Sequence, residues 1–364
     1  MPALNLSPML SLVAQLRHNP AAPLRMWLRT TDHKIRPPNA QPHRPRIQSR
    51  QAAVLAGGLA RPQQQAQILS EPAMGAQPTI VVGGFVPDAM DALYLLRGSL
   101  RRQGSLYTLN HPPEGFSTDL FLAQLADLIE EVTAAHHRPP VVIGISFGGG
   151  LVLELLRRAT AHETAPALAG LVLISPVACV ADLLDPTAPK ATTLLGRVIK
   201  PYVEVEGPAD GVIIERSRAV FLKMFEAGAQ NRAALGLLLT RQETQRLRAA
   251  VLATINRITP TGVLERVRAL CEFSLPGETR CLSRAPTLIL YAEKESAVLV
   301  DNSPTEQVLR QQTLKCFPLG HCLTVRNTPE NPVQHASLIF HAQNFEPLLS
   351  SFYRRIKPTQ YRAA

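Results

Sequence analysis

The sequence has few cysteines and no pair of them at a redox or zinc-ligand spacing. It contains five in all, with no Cys-x-x-Cys: Cys179, Cys271, Cys281, Cys316 and Cys322. A small secreted domain held by disulfides needs a dense, even set, and a structural zinc site needs closely spaced ligands. The sequence therefore argues against both classes, and we expect reduced thiols and a cytoplasmic location.

Acidic residues are almost missing from residues 1–70, where Asp32 stands against nine Lys or Arg. This segment carries +8 of the net charge of +10, so the remaining 294 residues carry only +2. It also has few aromatic rings to stack on bases, so we expect no nucleic-acid partner. We interpret residues 1–75 as a basic, proline-rich, partly disordered arm. An acidic partner, a membrane surface and an organellar transit peptide remain open alternatives for it.

Long apolar runs are also missing. The longest uncharged stretch is Thr164–Ala181, and Pro166, Gly170 and the Ser175–Pro176 pair interrupt it. A membrane-spanning helix needs about 20 predominantly apolar residues. We therefore expect no transmembrane segment, and no secretory leader is recognisable before Arg17.

From Pro78 onward, short apolar runs alternate with amphipathic stretches. The runs typical of buried strands are Thr79–Gly83, Ser105–Leu109, Val141–Ile145, Gly170–Ile174, Pro286–Tyr291 and Leu314–Phe317. The stretches with helical spacing are Pro87–Arg102, Ser117–Val132 with Ser117 as N-cap, Leu151–Arg158, Thr305–Gln311 and Ala336–Tyr353. Such alternation predicts an α/β fold, with a mostly parallel central sheet and helices on both faces.

Residues 181–280 break this rhythm, because helical patterns occur there without a clear strand. These patterns are Ala219–Ala227, Ala233–Thr240 and Thr244–Ile258. We predict a helical cap over 181–280, inserted into a core formed by residues 76–180 and 281–364.

The strongest chemical signal is Gly144–Ile145–Ser146–Phe147–Gly148, between a predicted buried strand and a predicted buried helix. A nucleophilic serine on a sharp strand-to-helix turn needs small neighbours, because the strained backbone leaves no room for side chains. The other interpretation, a glycine-rich phosphate loop, would need GxGxxG after an early strand or GK[ST], and neither is present. The motif favours a nucleophile elbow with Ser146 as nucleophile and Gly144 and Gly148 as its glycines.

Together these features resemble the α/β-hydrolase superfamily, as a serine hydrolase with a helical cap, over about residues 78–355. In that family the order along the chain is nucleophile, acid, histidine. The resemblance implies that His321, in Leu319–Gly320–His321 after the last predicted strand, is the base. It implies that Glu295, after Pro286–Tyr291, is the acid, although aspartate is more usual there. Asp301 is the reserve candidate for the acid.

The segment Gly83–Gly84–Phe85–Val86–Pro87 resembles the family's His-Gly-Phe-x-Pro turn, with Gly83 where histidine is more usual. The resemblance implies an oxyanion hole formed by the main-chain N–H groups of Phe85 and Phe147. Since both donors belong to the main chain, glycine at this position removes a supporting side chain but no donor.

The resulting expectation is a hydrolase that cleaves an ester, thioester or amide of an apolar acyl group through an acyl-enzyme. We expect no cofactor and no metal; His136 and His137, for example, are adjacent and diverge on a helix. Two alternatives remain open: an acyltransferase on the same fold, and a non-catalytic binding protein with this fold.

Overall fold

The central feature of the computed structural model is an eight-stranded sheet. The structure describes residues 22–35, 39–204, 211–230, 232–273 and 280–356. The strands are β1 (Gln41–Pro42), β2 (Gln67–Ala76), β3 (Thr79–Val82), β4 (Gly104–Asn110), β5 (Val141–Ile145), β6 (Gly170–Ile174), β7 (Thr287–Ala292) and β8 (Gly320–Val325). Their order across the sheet is β1-β2-β4-β3-β5-β6-β7-β8.

Six neighbouring strands of the sheet are parallel, namely β4, β3, β5, β6, β7 and β8. At one edge, β2 pairs antiparallel with β4, and β1 pairs antiparallel with β2. Side chains alternate between two separate apolar clusters. Val142 and Leu171 belong to one cluster, whereas Val141, Ile143 and Val172 belong to the other. Because both faces are covered, the central strands consist of continuous apolar residues, as a buried parallel sheet requires. The predicted fold class is confirmed.

Helices cover both faces of this sheet. Those outside the region between β6 and β7 are α1 (Ala22–Ile35), α2 (Ser49–Ala56), α3 (Ala89–Ala92), α4 (Arg97–Gln103), α5 (Thr118–His136), α6 (Phe147–Ala161), α12 (Pro304–Gln311), α13 (Thr313–Cys316) and α14 (Ala342–Arg355). The predicted N-cap of α5 is confirmed, since the Ser117 hydroxyl accepts a hydrogen bond from the Leu120 N–H. Most predicted segments agree with the structure to within a few residues.

One predicted strand is wrong. Residues 313–316 form the short helix α13, and the last strand is β8, six residues further along than Leu314. Thr287 of β7 pairs with Gly320, and Ala292 pairs with Val325. The short run Leu314–Phe317 was too brief to distinguish a strand from a buried helical turn.

Ordered structure begins before Pro78, within the segment that the sequence predicts to be a partly disordered arm. Residues 39–76 contribute β1, β2 and α2, and Gln51, Ile68 and Glu71 are buried. The strand β2 pairs with β4 from Gln67 to Glu71. The second half of the predicted arm therefore belongs to the sheet, while residues 1–21 and 36–38 lie outside the described residues.

Carboxylates of α5 hold this basic segment. Asp127 is fully buried and accepts hydrogen bonds from the main-chain N–H groups of Arg50 and Gln51 in the first turn of α2 and from the Arg50 guanidinium. Glu131 accepts from the main-chain N–H groups of Arg46 and Ile47. A carboxylate at a helix N-terminus satisfies free N–H groups and the positive end of the helix dipole. Part of the basic charge therefore has its partner within the same chain.

Between β6 and β7 the chain forms a helical insertion, with no strand in its described residues. Its helices are α7 (Leu194–Val203), α8 (Gly211–Gly228), α9 (Arg232–Leu238), α10 (Arg241–Arg257) and α11 (Pro260–Glu272). Their buried apolar residues join the same cluster as one face of the sheet. No helix in the described ranges is both long and apolar enough to cross a membrane.

Asp182 connects the start of this region to the chain after β7. Its fully buried carboxylate accepts hydrogen bonds from the Ala178 and Cys179 N–H groups, at 2.8 and 3.1 Å. It also accepts from the Ser303 hydroxyl at 2.7 Å and from the Thr305 N–H and hydroxyl at 2.9 and 2.6 Å. All five contacts need an acceptor, so both carboxylate oxygens are used.

Replacing Asp182 with asparagine should therefore destabilise the fold. The Asp182→Asn amide group would face donors and leave them unsatisfied, which costs about 2–4 kcal/mol. Chemical denaturation should show this loss in the free energy of unfolding. Asp185→Asn is the control, because Asp185 is exposed and accepts only from the backbone and side chain of nearby residues. Equal stability of the two variants would contradict this account.

Candidate active site

Ser146 lies on a strained turn between β5 and α6. Its φ and ψ are 51° and −116°, in a region that non-glycine residues adopt only at a cost of roughly 1–3 kcal/mol. The Ser146 N–H donates to the Ile174 carbonyl at 2.8 Å, and the Ser146 carbonyl accepts from Val177 N–H at 3.0 Å. The neighbouring strand β6 and the chain after it thus hold the turn from both sides.

The glycines around Ser146 are required by close backbone contacts. A Cβ atom added at Gly148 would lie 2.3 Å from the Gly83 carbonyl oxygen and 2.4 Å from that of Val82. One added at Gly144 would lie 2.7 Å from the Gly149 Cα. Any side chain at these positions would push α6 away from the ends of β3 and β5, so the predicted elbow glycines have a steric reason.

His335 contacts Ser146. Its Nε2 lies 2.8 Å from the Ser146 Oγ, and its Nδ1 makes a short hydrogen bond with Glu295 Oε2. The imidazole therefore links the hydroxyl to the carboxylate. His335 was missed in the sequence, although it follows β8 in a turn-rich segment that contains Pro329 and Pro332.

Glu295, the predicted acid, is fixed on both of its oxygens. While Oε2 contacts His335, Oε1 accepts from the Ala292 N–H at 2.6 Å and from the Ser175 hydroxyl at 2.7 Å. Its side chain is 9% exposed. Asp301, the reserve candidate, is exposed and makes no hydrogen bond to a described residue. The structure thus brings Glu295, and not Asp301, to the imidazole.

The segment that carries His335 is anchored by the neighbouring residues of Glu295. Glu293 Oε1 accepts from the Asn327 and Val333 N–H groups, both at 2.8 Å. The Lys294 N–H donates to the Val333 carbonyl at 3.1 Å. The turn after β7 therefore positions both the carboxylate and the loop that brings the histidine to it.

The structure does not place His321 near Ser146. His321 is the second residue of β8, and it is in register with Leu288, Val172 and, three strands away, Ile143. Strands lie about 4.8 Å apart, which separates the backbones of β8 and β5 by about 14 Å. The His321 side chain is exposed on this edge strand. The prediction of His321 followed from placing the last strand too early in the chain.

Both predicted oxyanion donors belong to segments that are close to Ser146. Phe147 is the first residue of α6, so its N–H has no acceptor within the helix. Gly84, just before Phe85, approaches Ser146 so closely that a Cβ added there would lie 3.5 Å from the Ser146 Cβ. Neither the Phe85 nor the Phe147 N–H donates to a described residue. Both N–H groups thus have no acceptor among the described residues, as the predicted role requires.

The hydroxyl and the imidazole are largely buried. Ser146 is 9% exposed and the His335 side chain 8%. Phe221 of α8 packs against Phe85 at 5.9 Å between ring centroids, and Phe273, after α11, stacks on Phe147 at 6.3 Å. The helical insertion therefore supplies aromatic rings next to both predicted donors. In the described ranges, no group of three or more His, Cys, Asp or Glu side chains is placed to hold a metal.

Comparison with known proteins gives one family match. The sequence model of the Alpha/beta hydrolase family matches residues 80–329, which include Ser146 and Glu295 but end before His335. A search of curated proteins found no match.

Solved structures with a similar fold share little sequence with the chain. A bromoperoxidase from Bacillus anthracis is 18% identical, with a TM-score of 0.52 over 79% of this chain and 96% of that one. A thermophilic esterase from Thermogutta terrifontis is 18% identical, with a TM-score of 0.51 over 81% and 95%. A Bacillus megaterium epoxide hydrolase is 10% identical, with a TM-score of 0.54 over 80% and 98%. At these identities the likeness shows the fold alone.

The two histidines can be separated by substitution. We expect His335→Ala to lower kcat for an activated ester such as p-nitrophenyl butyrate at least a thousandfold, because the hydroxyl loses its proton acceptor. His321→Ala should stay within twofold of the unmodified protein. Steady-state kinetics on both variants, with circular dichroism as the test of folding, checks this. The reverse ranking would restore His321 as the base.

The two acids can be ranked in the same assay. Glu295→Gln should lower kcat roughly a hundredfold or more, since the amide supports the imidazolium poorly and can select the wrong tautomer. Asp301→Asn, the exposed control, should change kcat less than twofold. A larger loss in Asp301→Asn than in Glu295→Gln would move the acid to Asp301.

Proposed function

The chain belongs to the Alpha/beta hydrolase family, and on that premise we propose that it is a serine hydrolase that cleaves an ester, thioester or amide. The observation that carries this proposal is the continuous line of hydrogen bonds from Ser146 through His335 to Glu295. A hydroxyl, an imidazole and a carboxylate in this arrangement form the activated nucleophile of acyl transfer.

The first half of the proposed reaction forms an acyl-enzyme. Ser146 Oγ attacks the carbonyl carbon while its proton passes to His335 Nε2, and Glu295 stabilises the resulting imidazolium through Nδ1–H. The carbonyl π-electrons move to oxygen, and the oxyanion accepts hydrogen bonds from the Phe85 and Phe147 N–H groups. Collapse expels the alcohol, thiol or amine, which takes the proton from His335.

The second half returns the enzyme to its starting state. Water replaces the leaving group, His335 accepts one of its protons, and the hydroxide oxygen bonds to the acyl carbon. The second tetrahedral intermediate then collapses and releases the carboxylic acid, while His335 Nε2 returns its proton to the departing Ser146 Oγ. Every proton transfer thus passes through one imidazole nitrogen, His335 Nε2, and no step changes an oxidation state.

We propose that the acyl group is apolar and that residues 181–280 act as a cap over it. The Phe85 ring packs 5.6 Å from the ring of Phe147, the residue after the nucleophile, and 5.9 Å from the ring of Phe221 in the helical insertion. Apolar and aromatic walls with few polar groups are typical of small-molecule sites that bind hydrocarbon portions of ligands. The near-complete burial of Ser146 and His335 also fits a reaction from which bulk water is excluded.

A fluorophosphonate probe tests the proposed function directly. Covalent capture requires a nucleophilic hydroxyl, its base and an oxyanion site at once, so we expect labelling at Ser146 by tandem mass spectrometry of the intact enzyme. Ser146→Ala should abolish both labelling and ester turnover, whereas Ser350→Ala, on the distant helix α14, should leave both unchanged. A folded protein that resists the probe would refute the serine-hydrolase proposal.

A further inference from the structure

The loop that provides the Phe85 N–H begins with two glycines, Gly83 and Gly84, and so has little stiffness of its own. We call residues 83–86 the oxyanion loop. Its position matters because a main-chain donor stabilises an oxyanion only if it is held in place before the reaction. Two buried side chains, from other parts of the chain, hold carbonyl groups of this loop.

Arg266 of α11 is the first of them. Its Nη1 donates to the Phe85 carbonyl at 2.9 Å, and its Nη2 donates to the Pro112 carbonyl at 3.0 Å. The guanidinium carbon lies 5.4 Å from the centre of the Phe85 ring. The Arg266 side chain thus contacts both the carbonyl and the ring of Phe85, the residue whose N–H is the predicted donor.

His111, directly after β4, is the second. Its Nε2 lies 3.0 Å from the Gly83 carbonyl oxygen. Burial lowers the pKa of His111 to about 3, so the ring is neutral at physiological pH and donates this hydrogen bond from Nε2. The ring packs 5.2 Å from that of Phe147, the residue of the other predicted donor. A histidine from the adjacent strand thus supports the loop at the position where Gly83 has no side chain.

Arg266 is an unusual residue for a purely structural role. It is 2% exposed, and it forms no salt bridge within the described residues. Burial lowers its pKa to about 10, with a smaller opposing effect of Asp88, so the side chain stays charged at neutral pH. A buried charge without a paired counter-ion is costly, and an apolar residue of similar size would avoid that cost. The charge is therefore retained beside the oxyanion loop at the expense of stability.

The helix that carries Arg266 is itself fixed to the core. The Thr259 N–H, just before α11, donates to the Pro113 carbonyl at 3.0 Å, and the Phe116 N–H donates to Glu265. A Cβ added at Gly262 would lie 2.2 Å from the Pro113 carbonyl oxygen. These close contacts hold α11, and with it the Arg266 guanidinium, in a fixed position relative to the core, although α11 belongs to the helical insertion.

We propose that Arg266 and His111 are positioning residues of the oxyanion hole, and that the Arg266 cation adds a favourable field for the tetrahedral intermediate. This inference rests on the proposed function. His111 fixes the start of the oxyanion loop, and Arg266 fixes Phe85. Together they keep the Phe85 N–H aimed at the carbonyl oxygen, a task that the glycine pair cannot perform. Neither side chain touches the substrate.

The test compares two inhibitors of one shape. The ketone 1,1,1-trifluorodecan-2-one forms a tetrahedral adduct with a serine and so acquires an oxyanion, while 1,1,1-trifluorodecan-2-ol binds without one. We expect Arg266→Met to raise the inhibition constant of the ketone at least tenfold and that of the alcohol less than twofold. Arg266→Lys, which keeps the charge, should recover part of the loss. His111→Phe should weaken the ketone selectively too, by a smaller factor.

Arg218→Met is the matched control for structural damage. Arg218 also lies in the helical insertion and donates to two main-chain carbonyls, those of Asn256 and Ile258, at 2.8 and 2.7 Å. Its removal should lower stability without changing the ratio of the two inhibition constants. An unchanged ratio in Arg266→Met, or equal weakening of both inhibitors, would overturn the inference.

The two proposals fail in different ways. If the unmodified enzyme is not captured by the fluorophosphonate at Ser146, the proposed function is wrong. If it is captured but Arg266→Met leaves the ratio of the ketone and alcohol inhibition constants unchanged, only the positioning role is wrong. Should Arg266→Met fail to fold, Arg266→Lys and His111→Phe carry the test, and an unchanged ratio in both would reject it.

Discussion

The candidate site depends on backbone-to-backbone contact at the N-terminus of α6. Gly148 lies so close to the carbonyls of Val82 and Gly83 that no Cβ fits between them. This contact fixes the distance between the strained Ser146 and the oxyanion loop, because helix and loop touch without an intervening side chain. The positive φ of Ser146 is stable only in such surroundings, where a hydrogen bond to the Ile174 carbonyl and one from the Val177 N–H hold both sides of the turn.

The fold and half of the site follow from local patterns. The runs Val141–Ile145 and Gly170–Ile174 are apolar throughout because both sheet faces are covered, and their strands were predicted with the bounds that the structure has. Ser146 was recognisable because the glycines on either side of it are needed wherever a nucleophile elbow leaves no room for a Cβ. Glu295 was accessible for a similar reason, since it follows directly from a clear buried strand. Each of these features depends on a short stretch of chain and can be recognised from the residues of that stretch.

The histidine and the N-terminal segment depend on contacts that no local pattern records. The loop that carries His335 is held by the Glu293 carboxylate, which accepts hydrogen bonds from main-chain N–H groups 34 and 40 positions further along the chain. The order of residues 39–76 depends on acidic side chains of α5, especially Asp127, which neutralise and cap a segment that by itself is merely basic. The wrong assignment of His321 came from a single misplaced strand, because the catalytic histidine was sought directly after it.

The antiparallel pairing of β2 with β4 bears on the tendency of the protein to aggregate. β2 covers one side of β4, whose residues are buried along its entire length. If proteolysis removed β2, the uncovered N–H and C=O groups of β4 would offer a template to any other extended chain. The pairing of β2 with β4 thus also protects the sheet against self-association. A chain that has lost β2 is therefore expected to aggregate.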